Sequence, residues 1–153
     1  MSATTTVAPE AYTVTFGKTG LHLRCTKCEK KTSSNNNPML KQVFEVFQAK
    51  PIKKADGDFV DINGIEFYTQ QMLMPKSIKY INLQRSSLGL PPLKDSEVEQ
   101  ANAEEYLGTE GFAVCVARIE SVLNEVTSEV VVNELTGKPF TKVVREILEW
   151  GGR

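Results

Sequence analysis

Cys25 and Cys28, separated by Thr26 and Lys27, form the only motif in the chain with a named chemistry. Two thiolates at this spacing can chelate one Zn²⁺ from a tight turn, and a structural zinc site normally has four such ligands. The remaining candidates are His22, three residues before the pair, and Cys115, far downstream in the chain. These residues would complete a Cys₃His set, although no second closely spaced pair of ligands is present.

Two other interpretations of the cysteine pair stay open. A thioredoxin-like pair should open a helix, whose N-terminus lowers the thiol pKa, whereas this pair follows a predicted strand and enters a polar segment. The simpler interpretation is a pair of reduced cysteines at the end of a hairpin. Cys115, between Val114 and Val116, is then a small buried hydrophobe. We therefore expect no cofactor, with zinc as the alternative.

Basic side chains make a larger but more diffuse set. Lysines on loops suit phosphate backbones, because the contact is non-directional and is driven by counterion release. Scattered lysines are more often only a solvated surface, which is the competing interpretation. The candidate phosphate contacts are Arg24, Lys27, Lys30, Lys31, Lys53, Lys54, Lys76 and Lys79.

Aromatic residues are interleaved with these charges. Binding of single strands without sequence preference needs aromatic platforms on which bases stack. Tyr12, Tyr68 and Tyr80 are the candidates, while Phe16 is expected in the core and one of Phe67 and Tyr68 should point inward. No RRM, KH or zinc-finger pattern accompanies them.

The charge is distributed unevenly along the chain, although the net charge is only -1. Residues 1–94 contain thirteen Lys or Arg and seven Asp or Glu, and residues 95–153 contain five and twelve. This asymmetry predicts one surface that faces a polyanion and another that repels it or docks a basic partner.

Composition limits the class of protein. The 153 residues, 41% of them hydrophobic, suit one domain with a real core. No apolar stretch approaches the roughly 18 residues of a membrane span, and the first residues lack the features of a secretory signal. With an odd number of cysteines, we expect a reducing, cytoplasmic compartment and no membrane partner.

Catalysis has little support in the residues. His22 is the single histidine, and no H-E-x-x-H, G-x-S-x-G or Walker pattern occurs. Gly17-Lys18-Thr19-Gly20 lacks the upstream spacing of a phosphate-binding loop and is expected to be a hairpin turn. The sequence predicts a protein that is not an enzyme.

Alternating polar and apolar residues predict antiparallel hairpins. The first is expected over residues 12–25, with its turn at 17–20, and a polar loop should follow at 29–38. Asn63-Gly64 predicts the second hairpin turn. A third hairpin is expected over 129–144, and 112–116 should form a buried strand.

Helical spacing predicts a helix over 38–49, a short basic helix between Pro75 and Gly89, and a capped acidic helix from about 96 to 107. The connector at 88–94 should be extended, and residues 1–10 should be a flexible arm. The C-terminal segment fits either a helix or a strand.

Together these features predict an α+β protein, a single domain at 11–153 built from antiparallel β-hairpins with two or three helices, with a basic part at 11–94 and an acidic part at 95–153. The expected function is non-enzymatic binding of nucleic acid, single-stranded and with weak sequence specificity, through the basic hairpin and loops. The alternative is a protein–protein interaction module, such as an assembly subunit or an inhibitor of a larger complex. It would use hairpin edges or the acidic helix, and a homo-oligomer would fit it too.

Overall fold

Period-two alternation of buried and exposed side chains runs through most of the chain. The computed structural model describes Val7 and residues 9–151. The strands are β1 (Phe16–Thr32), β2 (Pro38–Phe47), β3 (Ile52–Lys53), β4 (Phe59–Val60), β5 (Glu66–Met72), β6 (Glu110–Ser121) and β7 (Thr141–Trp150). One α-helix, α1 (Ile78–Ser87), and four 3-10 helices, Pro9–Tyr12, Pro75–Ser77, Asp95–Gln100 and Ala103–Tyr106, complete the described part.

Five strands form one antiparallel sheet in the order β5-β2-β1-β6-β7. The two edge strands, β5 and β7, approach each other. A hydrogen bond joins them, in which Arg145 Nε on β7 donates to the carbonyl oxygen of Glu66 on β5 at 2.9 Å. Inside the curled sheet, the rings of Phe44 and Trp150 lie 4.9 Å apart. The sheet is therefore a partly open barrel, with β3 and β4 paired separately.

β1 is long enough to pair with two neighbours. Its first part pairs with β6 as far as Arg24, and its second part pairs with β2 from His22 onward. A β-bulge lies between Cys25 and Lys27. Bulges bend the strand that carries them, so β1 turns here as it leaves β6.

The barrel core is formed by the inward side chains of the sheet and closed by α1 and the 3-10 helices. Leu23, Phe44 and Phe67 are fully buried on the sheet, and Ile81 is buried on α1. The Ser87 hydroxyl, near the end of α1, donates to the Phe112 carbonyl oxygen at 2.8 Å and accepts from the Phe112 N–H. These bonds hold α1 against β6.

Two glutamines form a reciprocal amide pair inside this core. Gln42 Nε2 donates to Gln84 Oε1 at 3.1 Å, and Gln84 Nε2 donates to Gln42 Oε1 at 2.7 Å. Both side chains are buried, so each satisfies a group that would otherwise lack a partner. The pair joins β2 to α1.

Replacing Gln42 with Leu is expected to lower the free energy of unfolding by about 1–3 kcal/mol, because the Gln84 amide loses its partner while staying buried. The double variant Q42L/Q84L should recover most of that loss, since neither polar group is then present. Urea unfolding of the three proteins measures this. Additive losses in the double variant would show that the pair is not the source of the effect.

Arg85 holds the connector at 88–94, where the chain passes from its basic part to its acidic part. Its side chain is 1% exposed. Nε donates to the Pro91 carbonyl oxygen at 2.7 Å, and Nη1 donates to the Tyr106 hydroxyl at 3.2 Å and to Glu105 at 3.3 Å. The connector was predicted to be extended throughout, but it begins with a turn at Leu88 and Gly89 and then continues to residue 94 without regular secondary structure. Arg85 holds it to the second half of the chain.

The largest error of the sequence analysis is the helix over 38–49, which is strand β2. The inward positions of β2 are Leu40, Gln42, Phe44 and Val46. Because one of them is polar, the alternation was hidden and the apolar residues mimicked helical spacing. The first hairpin is also wrong, because residues 16–32 form one continuous strand. The predicted turn at 17–20 lies within β1.

Other expectations are confirmed in part. The polar loop shortens to residues 33–37, and Asn63-Gly64 is a turn, but β4 pairs with β3 and not with β5. The acidic helix consists of two short 3-10 helices. The short helix after Pro75 and the strand at 112–116 are confirmed, and the ambiguous C-terminal segment is strand β7.

Antiparallel sheet with few helices agrees with the predicted α+β class, although only one of the helices in the described residues is an α-helix. Most of the predicted N-terminal arm, residues 1–6 and Ala8, lies outside the described residues. Within the described part of the chain, no helix has the length and apolar character needed to cross a membrane.

Candidate nucleic-acid interface

An open groove of about 700 Å³ is lined by residues of β1, β2, β5 and β7, most of them on the outer face of the barrel, with the buried Gln42 at its base. The ladder register sets two rows of side chains across it. Lys27, Val43 and Tyr68 form one row. Glu29, Lys41 and Gln70 form the next. Arg145, Glu146 and Ile147 of β7 contribute the opposite side.

The charges of the groove are not mutually neutralised. Glu29 pairs with Lys31 at 3.3 Å and Glu146 pairs with Arg118 at 3.7 Å. Within Val7 and residues 9–151, neither Lys27 nor Lys41 has an ion-pair partner. The two carboxylates are thus partly compensated by cations outside the groove lining, and two ammonium groups inside it stay available to an anion.

Two tyrosines adjoin these cations. Tyr68 is 67% exposed on β5, in the same row as Lys27. The Arg145 guanidinium lies 5.7 Å from the centroid of the Tyr12 ring, so Tyr12 borders the β7 side. The groove therefore combines positive charge with aromatic faces, the two requirements for holding a single strand.

Three other predicted residues on β1 are engaged within the protein. Lys30 Nζ donates to the carbonyl oxygens of Glu99 and Ala101, which fastens the acidic segment to β1. Arg24 pairs with Glu110 at 2.8 Å. Lys31 pairs with Glu29, as above, so its contact with a phosphate would compete with that pair.

The remaining predicted residues lie away from the groove lining. Lys53 and Lys54 are on and beside β3, and Lys54 pairs with Glu10 and Asp56, both at 3.5 Å. Lys76 and Lys79 are exposed at the start of the helical segment. Tyr80 is exposed on α1. The structure thus brings together Lys27, Tyr68 and, at the margin, Tyr12.

Sequence reasoning missed Lys41, Val43, Gln70 and Arg145. The first two were assigned to a helix, and Arg145 belongs to the part of the chain with an acidic excess. Recognising strand alternation from Lys41 to Phe47 would have placed Lys41 and Val43 on one outer face. Nothing in the sequence signalled that β7 returns beside β5.

The cysteine residues do not assemble with the histidine. Cys25 and Cys28 are buried on the inner side of β1, and Cys115 is buried on β6. His22 instead packs between Phe47 and Phe112 on the outer face. Across the residues that the structure describes, no three His, Cys, Asp or Glu side chains are grouped to hold a metal ion. The hydrogen bond with Cys28, together with burial, raises the pKa of the Cys25 thiol.

Burial raises the pKa of Cys115 from 9.0 to about 12. The unfolded chain would ionise this thiol at lower pH than the native protein. Stability from this group is therefore present below about pH 9 and is lost as the pH rises toward 12. We expect the free energy of unfolding to fall by about 1 kcal/mol more between pH 8 and pH 10 in the parent than in Cys115→Ala. Urea unfolding at both pH values measures it; equal slopes would contradict this assignment.

In comparisons with known proteins, no family model, curated protein or solved structure matches this chain. The residues of the groove are therefore the basis for assigning a function.

Proposed function

We propose that this protein binds single-stranded nucleic acid, with weak sequence specificity and without catalysis, in the groove between β1, β2, β5 and β7. The observation that carries the proposal is the combination of Lys27 and Lys41, which lack ion-pair partners in the described chain, with the exposed ring of Tyr68 beside them. Lysines bind phosphates without strict geometry, and a tyrosine face stacks on any base.

Single strands are favoured over duplexes by the position of the aromatic ring. Tyr68 projects from the same outer surface as Lys27 and Lys41, so a strand whose phosphates meet the lysines can lay a base on the ring. Bases in a duplex are already stacked and paired, and reaching the ring would require their extrusion, which costs a few kcal/mol.

The barrel architecture also supports this proposal. Along the chain, the five strands of the sheet are β1, β2, β5, β6 and β7. β1 pairs with β2 and β6, β2 pairs with β5, and β6 pairs with β7. β5 and β7 approach each other to close the barrel, and α1 lies between β5 and β6 in the chain. Partly open five-stranded barrels of the OB type bind oligonucleotides on strands two and three and in neighbouring loops. Here those strands are β2 and β5, which carry Lys41 and Tyr68.

The test is a titration of the protein against a labelled dT12 oligonucleotide, its duplex with dA12, and a mixed-sequence single strand, each at several salt concentrations. The two single strands should bind with similar affinity, more tightly than the duplex, and the logarithm of affinity should fall linearly with the logarithm of salt concentration. Undetectable binding to both single strands at low salt would reject the proposal.

A second function is favoured by a different feature, the β6–β7 extension (residues 122–140). It is held by bridges between Leu123 and Val130 and between Val132 and Pro139. Val126 is 91% exposed and Leu135 is 96% exposed. Exposed apolar clusters mark interaction sites. Because this extension carries three glutamates and one lysine, a second copy of this chain, with its basic barrel surface, is the partner that its charge fits best.

Light scattering after size exclusion, at low and high salt, tests this alternative. A dimer that becomes monomeric when Val126 and Leu135 are both changed to Ser would support it. A parent protein that is monomeric at every salt concentration and at high protein concentration would reject it, and would leave the nucleic-acid proposal unaffected.

A further inference from the structure

A cluster of three rings lies on the outer face of the barrel, at the end of the β1–β2 ladder where His22 pairs with Phe47. The His22 ring centroid is 5.7 Å from that of Phe47 and 5.3 Å from that of Phe112. All three side chains are half-buried. The cluster spans β2, β1 and β6, and it has no part in the proposed groove.

Two hollows border these rings. One, of about 540 Å³, is lined by His22, Phe47 and Phe112 together with Gly111, and the other, of about 370 Å³, adjoins His22 and Phe112 on the side of Lys50. Gly20 lies directly beneath Phe112, since a Cβ there would come within 2.2 Å of the ring. The absence of a side chain at Gly20 therefore sets the position of the Phe112 ring.

One ion pair and one lysine accompany the rings, and the carboxylate of that pair, Glu110, also lines the first hollow. The Arg24 guanidinium lies 4.6 Å from the centroid of Phe47, and Glu110 holds it there through two hydrogen bonds, at 3.2 and 2.8 Å. Lys50 lines the second hollow and has no ion-pair partner in residues 9–151. Arg24 is therefore already paired within the protein, and Lys50 is the cation beside the rings that can meet a phosphate without breaking an ion pair.

The ring cluster and the groove share one face of the ladder. Outward side chains follow each other along β2 as Val43, Glu45 and Phe47, paired with Lys27, Arg24 and His22 on β1. At about 3.4 Å per residue, Val43 and Phe47 are roughly 14 Å apart. An oligonucleotide of several residues is long enough to span both, whereas a dinucleotide occupying the groove is too short to reach Phe47.

We propose that Phe47 and His22, with Phe112 as the adjoining wall, form a second base-stacking site, so that one strand runs along the β1–β2 ladder from Tyr68 to Phe47. This inference rests on the proposed function. It adds a place for a second base and a direction for the strand. The site recognises the π-face of a base and not its edge, so it adds affinity without adding sequence preference.

The test compares Phe47→Ala with the parent for dT12 and dT2. Affinity for dT12 should fall at least fivefold through loss of one stacked base, while affinity for dT2, which occupies the groove, should not change. Ile119→Ala is the matched control, because Ile119 is an exposed apolar residue of β6 that lines neither hollow. Thermal unfolding of each variant establishes that it is folded.

A second variant keeps the test independent of any loss of fold. Phe47→Trp retains an aromatic face, should bind dT12 as the parent does, and should show fluorescence quenching on binding beyond that of Trp150 in the parent. Equal dT12 affinity for Phe47→Ala and the parent, without extra quenching in Phe47→Trp, would overturn this site and leave the groove intact. No binding of dT12 by the parent would overturn both.

Discussion

Changing Lys27 and Lys41 together to Glu is expected to weaken binding of dT12 at least a hundredfold at low salt. Each reversal removes one phosphate contact and places a carboxylate beside the phosphate instead. Because these two ammonium groups have no ion-pair partner among the residues that the structure describes, while Glu29 and Glu146 have partners, the reversal makes the lining strongly acidic. The dependence of log affinity on log salt should also become shallower by about 1.4, at about 0.7 for each contact with a single strand.

The matched control is Lys53→Glu with Lys76→Glu, which changes the net charge by the same amount. Both lysines are exposed and neither lines the groove. This control should lose only the general attraction of the net charge, and its salt dependence should stay close to that of the parent. If the two double variants weaken binding equally, the groove is not the site and the attraction is only a property of total charge.

Changing Tyr68 to Ala should weaken binding of dT12 by about 1–3 kcal/mol, or roughly fivefold to 150-fold, through loss of one stacked base. The salt dependence should be unchanged, since no phosphate contact is removed. Titration at two salt concentrations separates this effect from that of the lysines. Removing the exposed Tyr68 side chain is expected to alter stability by less than about 0.5 kcal/mol.

Tyr80→Ala provides the control for Tyr68→Ala, because both rings are 67% exposed while Tyr80 lies on α1 and does not line the groove. Its affinity should match that of the parent. A Tyr80→Ala protein that loses affinity as strongly as Tyr68→Ala would move the binding surface toward α1. Equal affinity of Tyr68→Ala and the parent would remove the stacking part of the proposal.

The fold could be anticipated as hairpin-rich, but its central strands could not be placed. Gln42 can be buried because Gln84, which lies on another element, accepts from its Nε2 and donates to its Oε1. A pattern that treats glutamine as a surface residue therefore misassigns β2. Similarly, the turn expected at 17–20 gave way to the long pairing of β1 with β6, which no local propensity reports.

For the candidate site, the sequence indicated residue types and not their arrangement. Lys27 and Tyr68 were proposed from charge and aromatic content, and both line the groove. Arg145 was not identified, because it lies on β7 in the acidic part of the chain. Only the closure of the barrel brings β7 beside β5, which belongs to the basic part. Lys30 was named as a phosphate contact but donates to two carbonyl oxygens. Charge along a chain indicates the kind of partner, while pairing between distant strands selects the side chains that meet it.

The bulge in β1 has a consequence for changes in chain length. On a regular strand, residues three apart face opposite sides, yet Cys25 and Cys28 are both buried while Lys27 between them is exposed. Thr26 is the extra residue that makes this compatible. If Thr26 were deleted, the buried residues of β1 would still face the core and the exposed residues would still face the groove. A deletion at Arg24 or Glu29 would instead move the following buried side chains to the outer face. The bulge is thus a place where β1 can lose one residue and keep its buried side chains in the core, and loss of Thr26 also keeps Lys27 on the groove side.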